Sequence, residues 1–322
     1  MEKQKILSGI FGVATGDALG VPVEFKSREM LAKNPVTDMM GYGTHNMPAG
    51  TWSDDTSMML AALDALTEGY DPDAIMERFR KWLVEEEYTP YGEVFDAGMI
   101  CRSAIYRYVD GKKAVDCGSY EFGDNGNGSL MWIMAACLFM VKKEMQGELT
   151  EKEAVRRIHE CSGLTHAHVI SKAACGLYYF MVRELLKEQE KDLHTVLQNG
   201  LERAFVYYRK NEWYNFENAF EHYICLSNLS EFAKLDVKEI TSSGYVVDTM
   251  EAALWCLLNT NDYRSCVLKA VNLGSDTDTV AAVAGGLAGL FYGYENIPRR
   301  WREMLAKQEW IEKLCEKAAE RF

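Results

Sequence analysis

Apolar positions along the chain fall on a three-and-four spacing. Ile6, Leu7, Ile10, Val13 and Ala14 mark one buried helix face. Met58, Met59, Ala62, Leu63 and Leu66 mark a second, and Val169, Ala173, Leu177 and Phe180 a third. The same period predicts further helices over 74–86, 129–142, 152–161, 193–211, 249–259 and 263–272. No run alternates β-branched residues as a strand would, only six prolines punctuate the chain, and no Ser/Gly-rich linker divides it. The pattern predicts an all-α fold: one compact multi-helix domain over 1–322, with more charged and aromatic peripheral helices at 181–240.

Two rows of glycine break the rules for helix interiors: Gly12, Gly16 and Gly20 near the start, and Gly285, Gly289 and Gly293 near the end. A glycine inside a helix costs roughly 1 kcal/mol against alanine. Two such rows therefore predict two helices packed closer than the usual spacing of about 8–10 Å. They are expected to cross centrally and bring their flanking loops together.

Composition narrows the setting. A chain of 322 residues with 48% hydrophobic content can bury a large core. The apolar stretches 131–141 and 280–292 fall short of the roughly 20 residues of a membrane span, and MEKQKILSGIFG lacks a signal-peptide layout. Nine cysteines form no CxxC pair. Cys101, Cys137, Cys175, Cys256 and Cys266 sit singly in apolar segments, the pattern of buried free thiols in a reducing cytoplasm. The formal net charge of -13 argues against non-specific nucleic-acid binding. Any anionic substrate must then be held by local devices: backbone N–H groups, metal ions or a few placed basic groups.

Acidic clusters stand just ahead of two apolar helices. The first is Thr51-Trp52-Ser53-Asp54-Asp55-Thr56, the second Gly274-Ser275-Asp276-Thr277-Asp278-Thr279. Each taken singly reads as an N-cap, because Ser, Thr and Asp accept the free N–H groups of a helix start. Together they offer four carboxylates and several hydroxyls, more than capping needs. If the loops meet, the like charges call for a hard cation. Magnesium suits oxygen ligands, whereas zinc lacks a His/Cys cluster here. Two acidic loops could seat two such ions. A third acid follows the first helix, where Pro22 ends the helix and leaves Glu24 at its mouth. Alone, Glu24 reads as a solvated loop acid and Asp96 as an ordinary cap ahead of Cys101. The Asn127-Gly128 pair reads equally well as a plain turn.

The segments GDALGVPVEF, GTWSDDTSMML, VFDAGMICRSA, GNGSLMWI, LTHAH, SGYVVDTMEAALW and NLGSDTDTVAAVAGGLAGLFYG resemble, in order, those of the ADP-ribosylglycohydrolases. They span about residues 6–293, with weak correspondence only at 181–240. The resemblance implies two magnesium ions, with manganese as a substitute, held by Ser53, Asp54, Asp55, Asp276, Asp278 and Thr279. It implies a mobile loop carrying Glu24 over the metals, and a cleft acid at Asp96. The loop of Gly126, Asn127, Gly128, Ser129 and Met131 resembles the family's diphosphate cradle, and His166, Gly244 and Tyr245 match positions around the ADP-ribose pocket. The chain departs from the family at Ser53, where Thr is frequent, and at Trp132, where Arg is frequent. The second change removes any salt bridge or substrate contact an Arg would make there.

Three functions fit these residues. The first is a hydrolase that cleaves ADP-ribose from a modified protein or small molecule, arginine-linked by preference, with Glu24 as acid/base and Asp96 as its competitor. The second is an ADP-ribose-binding regulator without turnover, which degenerate acids would signal; here all four metal-loop aspartates are present. The third is a dimetal nucleotide phosphoesterase, told apart by its products. His45, His159, His194 and His222 belong to no constellation and are expected in surface or structural roles.

Overall fold

The computed structural model describes residues 2–187, 192–211 and 213–322. The expected peripheral region 181–240 therefore includes positions 188–191 and 212, which lie outside the described residues. Among the described residues there are sixteen α-helices and no sheet. The β-type pairings are isolated bridges, Tyr42 with Met47, Ser119 with His166 and Gly126 with Tyr245.

The central feature is a helix pair. Lys3–Gly20 and Thr277–Tyr292 run antiparallel with their backbones in contact. A Cβ built on Gly12 would fall 2.3 Å from the Gly285 carbonyl oxygen, and one on Gly16 would fall 2.1 Å from that of Ala281. The helices stay in backbone contact from Ser8 against Gly289 to Gly20 against Asp278, rather than at one central point. Their far end is where Gly20 meets Asp278, so the chain leaving the first helix emerges beside the chain entering the second. Tyr263 adds a clamp by donating its hydroxyl to the Gly12 carbonyl at 2.7 Å. Gly293 takes no part in the packing. Its φ of +90 ends the helix at the C-cap, a conformation suited to glycine.

Every residue from Ile6 to Gly20 is buried. By length and composition the Lys3–Val23 segment could cross a membrane, a candidate missed by scanning only the longest uninterrupted apolar runs. Its whole apolar window is enclosed by protein, as befits the central helix of a helical core.

The other predicted helices appear as Pro72–Glu85, Glu151–Gly163, Val169–Lys187, Leu193–Asn211, Val246–Leu258 and Tyr263–Val271. One starts later than its pattern suggests. The helix expected over 129–142 runs Met134–Met145, because Asn127–Ser129 is a tight 3-10 turn tied across to Gly244. Trp132, where the family resemblance departs, is fully buried and packs edge-on against Phe79 with ring centres 5.1 Å apart. It is a core residue and not part of the cleft. The Leu193–Asn211 helix joins the same continuous core through Val196, Leu197 and Leu201. Eight of the nine cysteines are buried and Cys225 is exposed; all are free thiols.

Candidate active site

Asp17 organises the first acidic loop from inside the neighbouring helix. Its carboxylate is fully buried and accepts the Ser53 N–H at 2.9 Å, the Thr56 N–H at 3.1 Å and the Thr56 hydroxyl at 2.5 Å. The Ser53 hydroxyl accepts the Asp55 N–H at 3.3 Å, capping the Asp54–Leu66 helix. Capping is thereby supplied by Asp17 and Ser53, and the Asp54 and Asp55 carboxylates remain for other work. Asp54 accepts the Gly98 N–H at 3.1 Å, and Asp55 accepts the Thr279 hydroxyl at 3.3 Å. The second Asp55 oxygen, Oδ2, is buried without a hydrogen-bond partner.

The second acidic loop enters the glycine-paired helix. Asp276 stands at its N-cap position, yet its side chain makes no capping bond. Instead it accepts the Asn127 side-chain amide at 2.8 Å, joining the acidic loop to the glycine loop. Thr277 donates its hydroxyl to the Gly20 carbonyl at 2.8 Å, which locks this loop onto the end of the first helix. Past Gly20, a short 3-10 turn over Val21–Val23 delivers Glu24. Its carboxylate is buried, with one oxygen within 4.8 Å of ligand atoms on both Asp276 and Asp278. Asp96 is not a helix cap. The Met99–Val109 helix starts after Gly98, and Asp96 faces the cleft from a left-handed conformation with φ +48.

These segments enclose a cleft of about 280 Å³. Carboxylates line it from Glu24, Asp54, Asp55, Asp96, Asp276 and Asp278, together with Thr279. Gly126, Asn127, Gly128, Met131 and His166 form the remaining wall that sequence reasoning anticipated. Phe25 and Met99 stand at its mouth, 69% and 81% exposed. Among the described residues no Lys or Arg lines this cleft.

Four predicted residues lie beside the cleft rather than in its lining. Ser53 is the helix cap already described. Ser129 sits beneath the glycine loop and accepts the Ser162 hydroxyl at 3.0 Å. Gly244 accepts the Asn127 N–H at 3.0 Å, so that N–H supports the loop instead of facing the cavity. Tyr245 pairs its hydroxyl with His222 Nδ1 at 3.4 Å.

The electrostatics follow from burial. Desolvation, then the neighbouring charges, pushes Asp55 and Asp278 well above the usual carboxylate range, and Asp54 rises for the same reasons. Glu24 is pushed up to about 10 by burial and by Asp96. Burial also raises Asp276, against the opposing hydrogen bond from Asn127. Asp17 rises only to about 6, because the Thr56 and Ser53 donors oppose its burial. His166 hydrogen-bonds Thr165 Oγ1 through Nδ1 at 2.9 Å, and burial lowers it to about 4, so it is a neutral imidazole at neutral pH.

Two groups of ligand atoms converge within 4.8 Å: Glu24, Asp276 and Asp278, and Glu24, His45 and Asp96. An oxygen-rich donor set, crowded like charges and the unpartnered Asp55 oxygen fit hard divalent cations better than zinc. Sequence reasoning missed two residues here. Asp17 carried a signal, an acid inside an otherwise apolar helix. His45, expected at the surface or in a structural role, hydrogen-bonds Glu24 and lies 3.9 Å from Asp96; nothing in its local sequence pointed there.

Comparison with known proteins agrees with this geometry. The chain is similar to the ADP-ribosylarginine hydrolase Tri1 of Serratia proteamaculans, at 32% identity over 97% of this chain and 78% of that protein. It is similar to the ADP-ribosyl-[dinitrogen reductase] glycohydrolase of Rhodospirillum rubrum, at 30% identity over 94% and 90% of the two chains. A solved structure described as an ADP-ribosylglycohydrolase-related protein complex superposes with a TM-score of 0.77, at 27% identity and covering 99% and 98% of the chains. The family model for ADP-ribosylglycohydrolases matches residues 2–322, and the chain belongs to that family of hydrolases.

Proposed function

We propose that this protein hydrolyses the glycosidic bond between ADP-ribose and a modified arginine, using two magnesium ions for which manganese can substitute. A cytoplasmic setting and one domain over 1–322 complete the reading. The observation that carries it is the convergence of four acid-bearing segments on one cleft opposite a glycine loop. The arginine preference draws support from the relatives named ADP-ribosylarginine hydrolase.

Asp54, Asp55, Asp276, Asp278 and Thr279 would hold the cations, with Ser53 fixing the backbone of that loop. When bound, the ions supply positive charge that grips ribose hydroxyls and orients water. The Gly126–Gly128 side of the cleft, with Met131 and neutral His166, would receive the diphosphate, because glycine lets an anion approach the backbone. Ser129, Gly244 and Tyr245 brace that wall. Cleavage at the anomeric carbon passes through an oxocarbenium-like state and needs a carboxyl group that can move a proton. Glu24 serves there, since its carboxyl group stands in the cleft close to Asp276 and Asp278. Asp96, across from it, is the competing candidate.

The test is product analysis. The protein and magnesium would be incubated with arginine-, serine- and nucleobase-linked ADP-ribose, and products identified by mass. Free ADP-ribose from the arginine-linked substrate is expected; inorganic phosphate or AMP would overturn the reading in favour of a phosphoesterase. Glu24→Gln should lower turnover roughly 10²–10⁴-fold with ADP-ribose affinity little changed. Near-normal turnover in that variant, with Asp96→Asn inactive but metal-bound, would move the proton-transfer role to Asp96.

A further inference from the structure

A turn 20 residues further along the chain grips Glu24 at two points. The Thr44 hydroxyl donates to the Glu24 carbonyl at 2.8 Å, and His45 Nε2 hydrogen-bonds the Glu24 carboxylate at Oε2. The turn is the Gly43–His45 3-10 segment, bracketed by Tyr42 and Asn46 at positive φ, +67 and +56, of which Asn46 is left-handed. Gly43, itself at φ +70, lies so close to Pro22 that a Cβ would fall 1.9 Å from the Pro22 carbonyl oxygen. Three consecutive residues of one segment therefore contact the segment that presents Glu24. The imidazole is fixed in turn between aromatic rings, with centroids 6.1 Å from Phe25 and 5.3 Å from Phe95. Tyr42 holds a positive φ that a non-glycine residue rarely adopts, a conformation that surrounding contacts must keep in place.

Glu24 needs such a hold. Its side chain is buried in a cleft it shares with the carboxyl groups of Asp54, Asp96, Asp276 and Asp278. Pro22 restricts the backbone before it, but nothing in the Val21–Val23 turn itself fixes the side chain. A buried carboxyl group gains solvation by swinging out to water unless it is hydrogen-bonded in place. A single neutral or cationic hydrogen-bonding group that meets it inside the cleft opposes that swing.

We propose that His45 is a positioning residue, and the 43–46 turn a clamp, that keeps the Glu24 carboxylate inside the cleft at the reacting bond. This rests on the reading of Glu24 as the proton-transfer group. His45 Nε2 also lies 3.9 Å from Asp96 Oδ2, so the Glu24→Gln background is needed to separate an effect through Glu24 from one through Asp96.

The experiment measures kcat, KM and ADP-ribose affinity for His45→Ala and His45→Gln, in the wild-type and Glu24→Gln backgrounds. Misplacing a reacting group by about 1 Å can cost on the order of 10²-fold, so kcat of His45→Ala should fall about 10- to 100-fold. KM and ADP-ribose affinity should hold within about threefold, since a merely structural loss would disturb both. His45→Gln, whose side-chain amide can reach the place of Nε2, should recover most of kcat. In the Glu24→Gln background His45→Ala should slow the enzyme no further, because two residues acting as one unit are non-additive. Wild-type kcat in His45→Ala, or an equal slowing in both backgrounds, would overturn the proposal while leaving Glu24 in its role. Normal turnover in Glu24→Gln alone would remove Glu24 from that role and the clamp with it. Should His45→Ala fail to fold, Thr44→Val tests the same clamp through the carbonyl bond. A several-fold loss of kcat at constant ADP-ribose affinity supports it, and wild-type kcat refutes it.

Discussion

Gly20 and Asp278 meet backbone to backbone: a Cβ on Gly20 would fall 2.3 Å from the Asp278 Cα. This contact sets the register of the site. It places the exit of the first helix, and therefore Glu24, beside the acidic loop that opens the second. The obstruction is backbone, which cannot rotate away as a flexible side chain would.

Gly20→Ala should therefore cost more than its small size suggests. Overpacking a filled interior costs about 1–3 kcal/mol, and a rigid neighbour puts this site at about 3 kcal/mol. Denaturant unfolding would measure it, with metal binding by calorimetry as a second readout expected to weaken. A variant with wild-type stability and metal affinity would refute the register argument.

Metal dependence is the expectation that the crowded carboxylates raise. Exhaustive chelation should abolish turnover, and magnesium or manganese should restore it. Asp278→Asn should weaken ion binding and eliminate activity while leaving the protein folded, because it relieves repulsion inside the fold. Full activity after chelation would end the dimetal mechanism.

Gly128 sits where the cradle is tightest. A Cβ there would come within 2.7 Å of Cys101 Sγ and 2.8 Å of His166 Cε1. Gly128→Ala should raise the ADP-ribose dissociation constant about tenfold, equivalent to about 1.4 kcal/mol of binding. Ion occupancy should be unaffected. Unchanged ADP-ribose affinity in this variant would separate the loop from ligand binding.

His159 predicts a pH effect far from the cleft. It is buried, bonded to the Tyr208 hydroxyl at 2.7 Å and stacked on Phe216 at 4.9 Å. Burial, and then the charge of Lys172, lowers it from its ordinary 6.5 to about 3. The unfolded chain therefore binds a proton that the fold refuses, and stability drops as pH falls below about 6.5. Between pH 7 and 5 this amounts to about 2 kcal/mol at 1.36 kcal/mol per unit. His159→Phe keeps the stacking and removes the titration, so its unfolding free energy should change less across that interval. An identical pH slope in both proteins would contradict the assignment.

Local rules made much of the molecule legible. Helix faces repeat every three or four residues within one segment, so the periodic positions marked helices whether or not their partners were known. The helix-packing glycines were equally visible, because glycine is costly there without a close neighbour. The acids of the 53–55 and 276–278 loops, each pair within one short segment, stood out as more than caps. Where the pattern misled, a long-range bond had intervened: the 129–142 helix starts late because Asn127 is tied to Gly244, 117 positions away in sequence.

The sequence by itself thus determined the helical class, the glycine-paired helices and the acid-bearing loops, since each depends on residues close together in the chain. Only the tertiary structure decided which side chains face the cleft. Asp17 takes over the capping that would otherwise occupy Asp54 and Asp55, a division of labour set by hydrogen bonds across 36 and 39 residues. His45 reaches Glu24 across 21 residues of chain. Ser53 and Ser129, adjacent in sequence to the lining residues Asp54 and Gly128, turn aside, and Gly244 lies beside the cleft as a support for Asn127. Such outcomes depend on how whole helices dock, and docking is decided by backbone contacts such as Gly16 against Ala281 that no single segment can encode alone.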